Sequence, residues 1–147
     1  MLKIYLDNCC YNRPFDNQKD STICAETQAK MFIQSLIKYK SVELVYSAIS
    51  MLEIAESPFE ENRQSIRCFI EENAKYYVSM ASHKTAIDLT NEVMQAGVKL
   101  KDASHVACAI VAKCDYLITT DKRLLKYKDN RIKIVSPMDF IRLWEAL

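Results

Sequence analysis

The sequence predicts an α/β fold built on a parallel sheet that is covered on both faces. Two observations lead there. Five short β-rich runs alternate with longer stretches of helical periodicity, the pattern of crossover units that return each strand parallel to the last. The first, second and fourth runs carry the β-branched and aromatic residues of strands buried between two layers. At 147 residues the chain is the size of a single domain, 1–147, and no repeat, low-complexity tract or linker divides it.

Strands are expected at Leu2–Leu6, Val42–Tyr46, Tyr76–Met80, Tyr116–Thr119 and Ile132–Val135. Between the first two, Ala25, Ala29, Phe32, Ile33, Leu36 and Ile37 form an apolar stripe on a helix from Thr22 to Tyr39. Ile49 to Glu56 is a short helix ended by Ser57-Pro58. Phe59 to Ala74 places Ile66, Phe69 and Ile70 on one face. Lys84 to Ala96 follows, with Gly97 suited to the left-handed position that closes it. Asp102 to Lys113 is alanine-rich and apolar nearly all round, which marks a buried helix. Lys122 to Tyr127 is short, and Pro137 opens a last helix through Trp144.

Composition excludes several functions. Gly97 is the only glycine, whereas phosphate cradles of the P-loop or Rossmann type need several for close backbone approach. A net charge of +1 argues against a uniformly basic coat but not against a local basic patch. Lys3 and Asp7 frame an apolar run too short for a secretory signal. The longest uncharged stretch, Ala103 to Ala112, is about half of what spans a bilayer. A cytoplasmic protein with no membrane association is expected. The six cysteines form no C-x-x-C pair, so buried free thiols are expected.

In parallel sheets, ligands bind beyond the carboxyl ends of the strands. Asp7 directly follows the first strand, and Asp121 closely follows the fourth. Glu53 lies on the helix after the second strand, flanked by Leu52 and Ile54 and sharing a face with Ile49 and Leu52. Asp102 opens the buried helix that leads into the fourth strand. Singly, Asp102 reads as a helix N-cap or first-turn residue, Asp121 as a helix cap, Asp7 as a turn residue and Glu53 as a solvated helix position. Together they are costly: two unit charges about 4 Å apart repel by roughly 4 kcal/mol at an effective dielectric of about 20. Such a group protonates or holds a cation. Oxygen donors without a histidine or cysteine set favour a hard ion, Mg²⁺ or Mn²⁺, which suits in-line phosphodiester displacement.

These residues sit in motifs that resemble the PIN domain ribonucleases, the group that includes VapC-type toxins. The resemblance runs from Ile4-Tyr5-Leu6-Asp7-Asn8 and Tyr11-Asn12-Arg13-Pro14-Phe15-Asp16 through Ser50-Met51-Leu52-Glu53-Ile54. It is strongest in Lys101-Asp102-Ala103-Ser104-His105-Val106-Ala107-Cys108-Ala109, followed by Asp115 to Leu125. It implies a three-layer α/β/α PIN-like fold with a central parallel sheet of about five strands. It implies Asp7, Glu53, Asp102 and Asp121 as catalytic metal ligands for Mg²⁺ or Mn²⁺, with Asn8 and Thr119 in support. It further implies RNA as substrate, products with a 5′-phosphate, a homodimer and, in toxin–antitoxin pairs, an antitoxin protein as partner. Many relatives carry Ser, Thr or Asn just after the first acid; here Asn8 is followed by Cys9 and Cys10.

Lys122, Arg123, Lys126, Lys128, Arg131 and Lys133 face only one acid, Asp129, in the segment after Asp121. Lys122, Arg123 and Lys126, with Arg13, are candidates for RNA-backbone contact, the alternative being an ordinary solvated edge. Tyr11 and Tyr127 are candidates for base stacking, and Tyr5 for the core. His105 reads as a packed, hydrogen-bonded histidine rather than a catalytic base. The leading expectation is therefore a metal-dependent endoribonuclease. A non-catalytic RNA-binding domain of the same fold is one alternative. A metal-dependent phosphatase or phosphoacceptor is another, but Cys9 stands where a D-x-D motif needs its second acid. A Cys–His hydrolase lacks an oxyanion glycine.

Overall fold

The computed structural model describes residues 1–12, 19–79 and 84–147. In chain order its elements are β1 (Lys3–Leu6), α1 (Asn8–Asn12), α2 (Ser21–Lys38), β2 (Glu43–Ser47), α3 (Ala48–Ala55), α4 (Glu60–Asn73) and β3 (Ala74–Val78). They continue with α5 (Lys84–Gln95), α6 (Leu100–Val111), β4 (Tyr116–Ile118), α7 (Lys122–Lys126), β5 (Lys133–Val135) and α8 (Pro137–Glu145). The five strands form one sheet in the order β3-β2-β1-β4-β5, parallel at every pairing.

The strand alternation divides the interior in two. Ile4 and Leu6 of β1, Leu44 of β2, and Tyr116 and Ile118 of β4 pack with Ile33 and Ile37 of α2, Ile66 and Ile70 of α4, and Phe140 of α8. The intervening Tyr5, Val45 and Leu117 face the other way. They pack with Val93 of α5 and with Ala103, Val106, Cys108 and Ala109 of α6. Side chains of a strand alternate between faces, so each central strand needs apolar residues at consecutive positions. The expected three-layer α/β/α fold follows directly. Helix α6 is buried from Ala103 to Ala109 because it lies against the sheet and against α5.

Local signals set the helix ends. Asp20 caps α2 by accepting from the Thr22 and Ile23 amides, at 2.9 and 3.1 Å. Ser47 and Ser50 form a reciprocal capping box that starts α3 where β2 ends. Ser136 caps α8, with Pro137 in its first turn as expected. Gly97 has φ +97°, the left-handed conformation anticipated after α5.

Several boundaries differ from expectation. Strand β3 starts at Ala74, directly on the end of α4, rather than at Tyr76; the expected end at Met80 lies outside the described residues. Helix α6 starts two residues early, at Leu100, and Asp102 takes the first-turn position, one of the two expected of it. Helix α1 was not expected, because five residues are too few to show a period. Leu52 is 61% exposed, so the face that Glu53 shares is the one bearing Ser50 and Ile54, not Leu52. Cys10, Cys108 and Cys114 are buried free thiols, as expected, but Cys68 is exposed.

Leu117 is fully buried at the centre of β4. Leu117→Ala is expected to lower unfolding free energy by about 3 kcal/mol, from lost transfer energy plus a residual cavity. Urea denaturation with an unchanged m-value checks it.

Candidate functional site

Topology decides where the acids fall. The chain builds β1, β2 and β3 outward to one side, then crosses back to lay β4 on the opposite side of β1. The crevice between β1 and β4 is therefore the switch point at which open α/β sheets bind ligands. Asp7 follows β1 there, and its amide donates to the Ile118 carbonyl at 3.0 Å, extending the pairing past the strand ends. Thr119 and Asp121 leave β4 at the same edge.

Asp7 is nearly buried and well supplied with donors. Oδ2 accepts from the Thr119 hydroxyl at 2.7 Å and from the Cys9 thiol at 3.4 Å. Oδ1 accepts from the Asn8 amide at 2.7 Å. Asn8 thus reaches the acid through its backbone; its own Oδ1 is buried with no partner among the described residues. Cys9 makes the contact that a hydroxyl residue would make in its place. Its sulfur also lies 3.6 Å from Thr119 Oγ1 and accepts from the Thr120 amide at 3.4 Å. Thr119 joins two acids, since its Oγ1 accepts the Asp121 amide at 3.0 Å while donating to Asp7.

Glu53 projects from α3 and meets His105 of α6, Oε1 lying 2.5 Å from Nε2. The same nitrogen is 3.7 Å from Asp7 Oδ1. Asp7, Glu53 and His105 offer donor atoms within 4.8 Å of one another. Burial disfavours the imidazolium. The hydrogen bond to Glu53 and the charges of Asp7, Glu53 and Asp102 act against burial and raise its pKa above the usual value. The expectation of a packed, hydrogen-bonded histidine holds, but its place among the acids was not anticipated. The D-A-x-H spacing was the available signal, since residues three apart on a helix share a face.

Asp102 and Asp121 are not in that close trio. They line an adjoining cleft of about 590 Å³. Burial raises the Asp102 carboxyl, as do the charges of Asp7 and Asp121; His105 opposes this and Glu53 adds to it. Asp102 therefore feels the charge of the other three acids although it is not in their closest group. Asp121 caps α7 by accepting the Arg123 amide at 2.8 Å, so its ordinary reading is met at the cleft wall.

Arg123, Lys126, Tyr127 and Lys128 line this cleft beside Asp102 and Asp121, and so does Lys99, which the sequence reading passed over. Lys122 is exposed on α7. Arg131 belongs elsewhere: it pairs with Asp129 at 2.8 Å and with Glu92 at 3.3 Å. Tyr11, a candidate for base stacking, is buried in the core instead. Arg13 and His83 lie outside the described residues. Lys30 was also missed, since it is a lysine inside the apolar face of α2. Its Nζ lies 4.5 Å over the Tyr11 ring, and burial lowers its pKa to about 8 against the charges of Cys10, Cys9 and Asp7.

Oxygen donors suit a hard divalent cation; Asp7 and Glu53 could each offer one within 4.8 Å of the other, with Asp102 and Asp121 on the adjoining cleft. Thr119→Val keeps the shape but removes the hydroxyl shared by Asp7 and Asp121. It is expected to cost about 1–3 kcal/mol in thermal or urea unfolding, while Thr119→Ser stays near the parent.

No family model matches the sequence, and no curated protein matches it in sequence. Solved structures match in fold. The crystal structure of VapBC2 from Rickettsia felis, bound to a DNA fragment from their promoter, aligns with a TM-score of 0.56 and 16% identity, covering 90% of this chain and 97% of that one. FitAcB from Neisseria gonorrhoeae aligns with a TM-score of 0.54 and 15% identity, covering 92% and 98%. With its five-stranded parallel sheet between helical layers, the chain has a PIN-like fold.

Proposed function

We propose that this protein is a Mg²⁺- or Mn²⁺-dependent endoribonuclease and the toxin component of a type II toxin–antitoxin pair. The observation that supports the reading is the pair Asp7 and Glu53 within 4.8 Å, beside a cleft lined by Asp102 and Asp121 in which burial and the charges of the other acids raise the Asp102 carboxyl. The likeness in fold to VapBC2 and FitAcB supports the toxin assignment and a protein antitoxin as partner. The family resemblance adds a homodimeric state in the cytoplasm. Among the described residues, no helix is long and apolar enough to cross a membrane.

When bound, a divalent ion supplies activation of water and stabilisation of the anionic oxygens of a phosphodiester. The chain's own residues do the rest. Thr119, Cys9 and the Asn8 amide orient Asp7, and His105 orients Glu53. Arg123, Lys126 and Lys128 lie along the cleft that leads away from Asp102 and Asp121, where successive phosphates of a single strand would pass.

Cleavage of single-stranded and structured RNA should require Mg²⁺ or Mn²⁺, stop with EDTA and leave 5′-phosphate ends. Asp7→Asn should lower turnover by about 100-fold or more, since several kcal/mol of charge stabilisation depend on the ion it holds. Full activity in that variant sinks the reading. Tight RNA binding without metal-dependent turnover favours the non-catalytic alternative instead.

The basic residues make a separate prediction. Removing Arg123 and Lys126 together should reduce the slope of log affinity against log salt by about 1.4, two phosphate contacts at about 0.7 each. Lys122→Ala, outside the cleft lining, should change it less. Filter binding of single-stranded RNA across a salt series measures both.

A further inference from the structure

Below the acids runs a buried chain of polar groups with no counterpart in the sequence expectations. The Tyr5 hydroxyl lies 2.6 Å from Ser47 Oγ, 3.1 Å from Ser50 Oγ and 2.5 Å from His105 Nδ1. A phenolic hydroxyl has one proton to donate and two lone pairs, so these three partners use its full capacity. Tyr5 is fully buried, as are Ser47, Ser50 and His105, and the Tyr5 and His105 rings meet edge to face at 5.4 Å. The other imidazole nitrogen then reaches Glu53.

The three elements joined at this hydroxyl carry or lead into three of the four acids. Tyr5 precedes Asp7 by two residues on β1. Ser47 and Ser50 are the capping box that starts α3, the helix of Glu53. His105 follows Asp102 by one turn on α6. We propose that Tyr5 is a positioning residue for the acid site. Its hydroxyl locks the His105 ring and the start of α3 into one frame, so that Nε2 holds Oε1 of Glu53 and leaves Oε2 free for a divalent ion. A buried phenol hydroxyl needs one partner, whereas this one reaches three on two other segments of the chain. A histidine ring oriented through its far nitrogen is the arrangement that sets a carboxylate partner in place. This inference rests on the metal site proposed above.

The test is Tyr5→Phe, which preserves ring volume. Mn²⁺ affinity, read from the electron paramagnetic resonance signal of free Mn²⁺, should weaken by about 10-fold. Turnover should fall by a similar factor while KM for RNA stays the same. In a Glu53→Gln background, Tyr5→Phe should add less than about 2-fold, because it acts through Glu53. Should Tyr5→Phe fail to fold, a second pair decides. His105→Gln keeps an amide donor near the Nε2 position and should retain more Mn²⁺ affinity than His105→Asn, which withdraws it. Parent-like Mn²⁺ binding by Tyr5→Phe, full multiplicative loss on top of Glu53→Gln, or equal losses in the two His105 variants would each overturn the proposal. A parent protein that binds Mn²⁺ but cuts no RNA ends the ribonuclease reading. The affinity measurements still decide the role of Tyr5.

Discussion

Like charges gathered at one sheet edge must be balanced, and the surroundings of Asp7, Glu53, Asp102 and Asp121 show how the fold does this. Asp7 accepts three hydrogen bonds, from the Asn8 amide, the Thr119 hydroxyl and the Cys9 thiol. Glu53 has the His105 ring, and Asp121 has the Arg123 amide at the start of α7. Hydrogen bonds to an ionised carboxylate are about twice as strong as neutral ones, so each of these donors offsets part of the repulsion. Asp102 is the exception. Among the described residues no hydrogen-bond donor reaches it, and burial together with Asp7 and Asp121 raises its pKa against the opposing effect of His105. The fold thus gives three acids hydrogen-bond donors and leaves Asp102 beside Asp121 on the cleft, where an added cation would relieve repulsion.

That balance depends on β1 lying at the centre of the sheet. With β2 on one side and β4 on the other, the residues leaving β1 are flanked by both the Ser47–Glu53 segment and the Thr119–Asp121 turn. The Asp7 amide pairs with Ile118, and the Thr119 amide with Val135, so the strand ends stay in register up to the site. A parallel sheet requires long crossovers, and here they supply α3 and α6, the two helices that bring Glu53, Asp102 and His105 to the same edge.

Much of this was legible in the sequence because it follows from local pattern. The five strands, the buried character of α6, the Gly97 turn and the Pro137 start each have a physical signature within a few residues. The placement of Asp7 and Asp121 followed from the strand-end rule alone. What was not legible depends on tertiary contact. The rotation of α3, which exposes Leu52 and turns Glu53 toward His105, is set by packing against α6 and the Ser47–Ser50 box. Helix α1 is too short to have a period. Lys30 and Tyr5 each look like ordinary members of an apolar run, and only the contacts at Nζ and the hydroxyl distinguish them.

The basic residues illustrate why net charge is a poor guide to a site of this kind. Charges separated by more than about 8 Å are largely screened at physiological salt, so a phosphodiester at the sheet edge responds to its neighbours and not to the chain's total of +1. Six cations cluster in sequence after Asp121, but the fold divides them. Arg131 is held by Asp129 and Glu92, and with Lys133 it faces a separate hollow. Arg123, Lys126 and Lys128 remain on the cleft that holds Asp102 and Asp121, joined by Lys99 from the start of α6. The cleft therefore has an anionic end and a cationic wall, drawn from distant parts of the chain. A polyanion lying along that wall would be held by the lysines and arginine, and only the segment reaching the sheet edge would need a divalent ion between its phosphate and the acids.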